Sequence, residues 1–201
     1  MKKWSRRKRW LVGTTVCVSG LLLFLGGVFF GFINLFHAHE HCIKGTGLAL
    51  RIYAEDHNDR LPYHTNGFGG AIVMFLKENP YENARQFTAP GDDDKLLKEC
   101  VATGKHMPEE KCSRAYVQGL NEKNNWEIAL VFDRYPTRGG DHFRRPLGPW
   151  LREAGLLDAS MQVIAEENWL AFKKKQVDLL VAEGFSRERA EEFYKPMSKS
   201  K

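Results

Sequence analysis

From Trp10 to Phe36 the chain reads "WLVGTTVCVSGLLLFLGGVFFGFINLF", without one charged residue. As a helix rising ~1.5 Å per residue, about 27 residues exceed the ~30 Å hydrocarbon core of a bilayer. Lys2, Lys3, Arg6, Arg7, Lys8 and Arg9 crowd the N-terminal flank, and no acid occurs before Glu40. Basic residues mark the cytoplasmic side of a span. The pattern predicts a single-pass anchor in a bacterial inner membrane, with Met1 inside and residues 37–201 on the periplasmic or extracellular side. Trp4 and Trp10 suit the lipid–water interface. The apolar run is longer than the ~7–15 residues of a cleavable signal peptide, and no small-x-small site follows it. Thr14-Thr15-Val16 also departs from a lipobox before Cys17. An uncleaved signal anchor is therefore expected, with the bilayer as one partner. Gly20, Gly27 and Gly31 lie in the span, where small residues let another helix approach; glycine is also common in membrane helices that have no such partner.

Six of the 30 basic residues precede residue 10, leaving 24 against 25 acidic ones. The +5 formal charge is thus an N-terminal property. The nearly neutral remainder lacks the concentrated basic footprint that nucleic-acid binding needs, and no nucleic-acid partner is expected. Cys17 lies in the span, while Cys42, Cys100 and Cys112 lie beyond it. A Cys100–Cys112 bridge would close a short polar loop and stabilise by roughly 2–3 kcal/mol. That pairing is expected in an oxidising compartment, with Cys42 left over.

Beyond the span the hydrophobic pattern turns helical. Ile43, Gly47, Leu50 and Ala54 share one face, with Leu48 and Ile52 as a neighbouring stripe. "DHNDRLP" stops this helix, since Asp and Asn favour turns and Pro62 disfavours helix at Leu61. "YHTNGFGG" reads as a flexible turn, "AIVMFLKEN" as a short helix, and "DDDKLLKEC" as a helical start. "SRAYVQGL", "WEIALVFDRY" and "SMQVIA" read as strands. "PTRGGDHFRRPLGP" reads as a loop. "EENWLAFKKKQVDLLVAEG" is an amphipathic helix ended by Gly184, and Ser186 caps a last short one. The expected fold is α+β, with a small antiparallel sheet and a C-terminal helix.

"GTGLALRIYAEDHNDRLP", residues 45–62, resembles the region after the membrane segment in pilin-like proteins of the type II secretion pseudopilin class. The matching positions are Gly47, Leu48, Ala49, Leu50, Tyr53, Ala54, Asp56, Leu61 and Pro62. Later pieces resemble that class in order: "QFTAPGDDD", "CSRAYVQGL", "IALVFDRYPTRGG" and "LLDASMQVIAEENW". Ala89, Arg138 and Ala159 stand where such proteins have Cys, His and Gly. The segment "RKRWLVGTTV" lacks the Phe-Thr-Leu cleavage motif, and the span lacks the acid that registers neighbouring subunits. The resemblance implies a diverged, membrane-retained relative. Its domains would be a basic cytoplasmic segment (1–9), an anchor (10–36), a pilin-like extracytoplasmic domain (37–185), and a short helix and tail (186–201). It would serve as a structural or accessory subunit of a membrane protein complex or a secretion or pilus-like assembly.

Two clusters suggest metal chemistry. "HAHEHC" offers His37, His41 and Cys42 as zinc ligands, with the histidines four apart on a helix. The bland alternative is a polar collar at the membrane surface. Asp92 and Asp94, with Asp133, are calcium candidates, because the resembling pseudopilins often order a loop with calcium. A calcium ion needs about 6–8 oxygens, and a solvated helix start explains the aspartates equally. A membrane-anchored periplasmic metal-binding module is therefore the alternative function. No nucleophile elbow, phosphate cradle or zinc-protease motif is present, and no catalytic residue is expected.

Overall fold

The computed structural model describes residues 19–28, 42–80, 84–89, 94–139 and 148–195. The chain forms two compact units, Met1–His37 and Ala38–Lys201. In the first, α1 is helical over residues 19–28, and all ten of its residues are exposed. Its described length rises about 15 Å, half of a bilayer core. Among the described residues no helix is long and apolar enough to cross a membrane. The expected span lies for most of its length, Gly31 included, outside them.

The second unit is α+β. Helix α2 (Ile43–Asp56) buries Ile43, Thr46, Gly47, Ala49, Leu50, Tyr53 and Ala54. The expected face is buried, but Leu48 and Ile52 point outward, each about half exposed. The helix stops where Asn58 and Asp59 take positive φ, a conformation Asn and Asp tolerate better than most residues. The "GFGG" read as a flexible turn is instead the start of α3 (Gly67–Glu78). The crossing segment around Met107 explains one of those glycines. A Cβ on Gly69 would lie 1.9 Å from the Met107 carbonyl oxygen. After a 3-10 turn at Ala84–Phe87 comes α4 (Asp94–Thr103).

The sheet is antiparallel throughout. Its strands are β1 (Arg114–Tyr116), β2 (Ala129–Asp133), β3 (Thr137–Arg138), β4 (Trp150–Leu156) and β5 (Met161–Ala165). β1 pairs with β2, and β2 pairs with the C-terminal half of β4. β3 pairs with the N-terminal end of β4, at Leu151 and Trp150. β5 also pairs with β4. β4, the longest strand, went unread in the sequence because "WLREAGL" mixes charges and glycine with its apolar residues.

β2 shows why its sequence is a nearly continuous apolar run. Phe132 stacks on Tyr194 at 4.5 Å and tilts against Trp169 at 5.8 Å. Asp133, the next residue and so on the opposite face, meets Arg114. Helix α2 packs on β2 and β4, while the aromatics come from α5 (Trp169–Ala182) and the turn after α6 (Arg187–Glu192). A strand covered on both faces needs apolar residues on both. Ser186 Oγ caps α6 by accepting from the Arg189 amide at 3.2 Å. Ala190 and Tyr194 are buried, so this last segment belongs to the core rather than to an appendage.

Candidate functional site

The feature the sequence concealed is a buried charge network beneath α2. Arg114 sits on β1 with no exposed surface. Its Nη1 donates to the Gln86 carbonyl at 2.7 Å and to Thr46 Oγ1 at 3.3 Å. Thr46, fully buried on α2, donates in turn to the Gln86 carbonyl. The Arg114 Nε lies 3.6 Å from Asp133 Oδ1. The other Asp133 oxygen accepts from the Glu153 amide at 2.9 Å. One guanidinium therefore joins α2, the 3-10 turn, β1 and β2, and its carboxylate partner reaches β4. Breaking such a buried pair from one side leaves a charge in low dielectric.

Neighbouring arginines extend this order. Arg134 donates from Nε to the Arg114 carbonyl at 3.1 Å and pairs with Glu109. Glu109 also accepts from the Gly69 amide at 3.2 Å, which ties the 3-10 turn at Glu109–Lys111 to α3. Arg152 donates to the Arg134 carbonyl, lies 4.4 Å over the Trp169 ring, and grips both oxygens of Glu166 at 2.7 Å. That grip holds the Glu166 carboxyl below its usual range despite partial burial. A second buried polar group, Gln176 on α5, accepts from the Ala129 amide at 2.8 Å and donates to the Glu127 carbonyl at 3.0 Å. It satisfies backbone groups at the entry to β2. Burial raises the phenols of Tyr116 and Tyr194 far above their usual value. Both stay neutral and act as packing groups; Tyr116 donates to the Pro62 carbonyl at 2.8 Å.

The sequence-expected site residues fare differently. Asp94 accepts from Thr88 Oγ1 at 2.9 Å and pairs with Arg85 at 2.9 Å. Asp133 faces Arg114, as described. Each carboxylate thus has a cationic side chain beside it, and they stand in separate ion pairs. Asp92, His37 and His41 lie outside the described residues. Cys42 is half-buried at the entry to α2. Among the described residues, no three His, Cys, Asp or Glu side chains are placed to hold a metal ion. Cys100 and Cys112 are buried as thiols rather than joined in the expected bridge. Their sulfurs point to the carbonyls of His106 and Pro108, at 3.7 and 3.6 Å. Burial raises the Cys100 thiol, which disfavours its reactive thiolate. Gly20 and Gly27 lie on α1, where an added Cβ would meet nothing within 4 Å.

Among the described residues, two grooves of the second unit stand out. One, of about 840 Å³, runs between the start of α3, the Glu109 turn and α6, and mixes acids with bases. The other, of about 400 Å³, follows the outer face of α3 beside the turn at Gly104. Neither was legible in the sequence, because their walls come from segments distant along the chain. Compared with known proteins, the chain matches no family model, no curated protein and no solved structure.

Proposed function

We propose that this chain is a single-pass, membrane-anchored structural or accessory subunit. It would present a pilin-like or pseudopilin-like domain outside the bacterial inner membrane to a larger protein assembly. The observation that carries this reading is α1: ten residues, "SGLLLFLGGV", all exposed, inside an uncharged run of about 27 flanked by six basic residues. In water so much apolar surface is strongly disfavoured, at about 25 cal/mol per Å²; in lipid or against another helix it is not. The second unit supports a scaffold rather than a catalyst. Its deeply buried Arg114, Asp133 and Gln176 are spent on holding elements together. In this reading the chain is not an enzyme.

The test joins topology to association. A reporter fused after Lys201 is expected to be active only in an exported form. Affinity purification from native membranes is expected to recover other membrane proteins with the chain. Reporter activity confined to the cytoplasm, or release of the chain into the soluble fraction with no partner, overturns the proposal.

A further inference from the structure

The titratable groups along the α3 groove are all basic. Its charged and titratable lining comprises His64, Lys77, Lys105 and His106, with no carboxylate among the lining residues. Lys77, Lys105 and His106 have no acidic partner among the described residues. Of the acids near in sequence, Glu78 pairs with His57 at 3.3 Å and Glu109 with Arg134, while Glu110 lines the neighbouring groove, which His106 also borders.

Two glycines seat this cluster. A Cβ on Gly70 would lie 2.2 Å from His64 Nδ1, so the imidazole rests directly on the α3 backbone. A Cβ on Gly104 would lie 3.0 Å from Lys77 Nζ, so the exposed ammonium lies close over the turn. Gly104 also takes a φ of +72°, which an L side chain rarely adopts. His64 is oriented as well: its Nδ1 accepts from the Asn66 amide at 3.1 Å, and its own amide donates to Gln118 Oε1 at 2.7 Å. The ring proton therefore sits on Nε2, which is a donor. At each glycine a side chain is given up, and a basic group stands in the space.

We infer that this groove is an anion site for a phosphate group carried on a small soluble molecule or on a lipid headgroup. The donors are point charges and ring N–H groups rather than a planar guanidinium fork, which suits a phosphate approached from several directions. A volume of about 400 Å³ exceeds one phosphate and leaves room for the group that carries it. The inference does not rest on the proposed membrane role; only the lipid source does.

The experiment uses the full chain in phosphatidylcholine nanodiscs. Inorganic pyrophosphate is titrated in, and the amide signals of Gly104, Lys105 and His106 are followed. Saturable shifts at these positions are expected. The double variant Lys77→Gln, Lys105→Gln changes two exposed side chains and is expected to weaken binding about tenfold or more, as loss of charge-assisted hydrogen bonds implies. The control Lys174→Gln, on the exposed face of α5, is expected to change it by less than about twofold. In a second arm phosphatidylglycerol replaces part of the phosphatidylcholine and no pyrophosphate is added. Shifts at the same amides assign the phosphate to a headgroup; unchanged amides there, with pyrophosphate binding intact, assign it to a soluble molecule. No saturable shift in either arm, or equal affinity in the double variant, overturns the inference.

Discussion

The α1 segment and the globular unit treat the same residue types in opposite ways. In α1, Leu21, Leu22, Leu23, Phe24 and Leu25 are all more than half exposed. In the globule even a guanidinium, that of Arg114, is wholly buried. Glycine follows the same inversion. Gly20, Gly26 and Gly27 face open space, whereas Gly69, Gly70 and Gly155 are pressed against backbone or side chains. A Cβ on Gly155, for example, would lie 3.2 Å from the Ile43 carbonyl oxygen of α2. The space at these three globule glycines is filled by the chain's own atoms. Those of α1 meet nothing within 4 Å among the described residues.

The sharpest way to break this contrast is to attack the buried charge. Arg114→Met removes the cation but leaves Asp133 in a dry interior. The expected loss is about 3–5 kcal/mol, measured by denaturant unfolding of the full chain in detergent. A variant as stable as the parent would show that the network is solvated rather than buried.

Gly69→Ala comes next. The new methyl meets the Met107 carbonyl, a backbone atom with little freedom to move. Overpacking of this kind costs about 1–3 kcal/mol, and the same unfolding measurement reads it. A neutral effect would mean that the 105–108 segment does not press on α3.

Ala159 provides a smaller test of opposite sign. It closes the β4–β5 turn with φ 63°, donating its amide to the Leu156 carbonyl at 3.0 Å. Left-handed backbone costs a non-glycine residue roughly 1–2 kcal/mol, and glycine gives some of that back through its freer unfolded chain. Ala159→Gly is expected to stabilise by about 0.5–1 kcal/mol. Destabilisation would mean that its methyl packs in a way that outweighs the strain.

The smallest effect on folding belongs to α1. Gly27→Leu is expected to change unfolding by less than about 0.5 kcal/mol, because nothing lies within 4 Å of the new Cβ. Its effect is expected instead in reduced co-purification of membrane partners, if a helix approaches at that glycine. Full recovery of every partner would place the contact on another face.

Much of the globule was legible in local pattern. The stop of α2 at "DHNDR", the strands β1, β2 and β5, and the Ser186 cap each follow from residues close together in sequence. β4 was not legible: its Arg152 and Glu153 spoil the apolar signature, and Arg152 meets its partners, Glu166 and the Arg134 carbonyl, only in the folded chain. "NGFGG" misled for a related reason. Glycine in a run signals a turn, unless a distant backbone must lie against a helix, and only the folded chain shows that it does.

By itself the sequence determined where apolar surface is concentrated, where helices stop and which segments are rich in strand-forming residues, since these depend on neighbours within a few positions. The tertiary structure decided which charges are buried, which glycines are filled, and which basic groups share the α3 groove. Those properties arise between segments such as Thr46 and Arg114, or His64 and Lys105, whose meeting is set by packing and not by spacing along the chain.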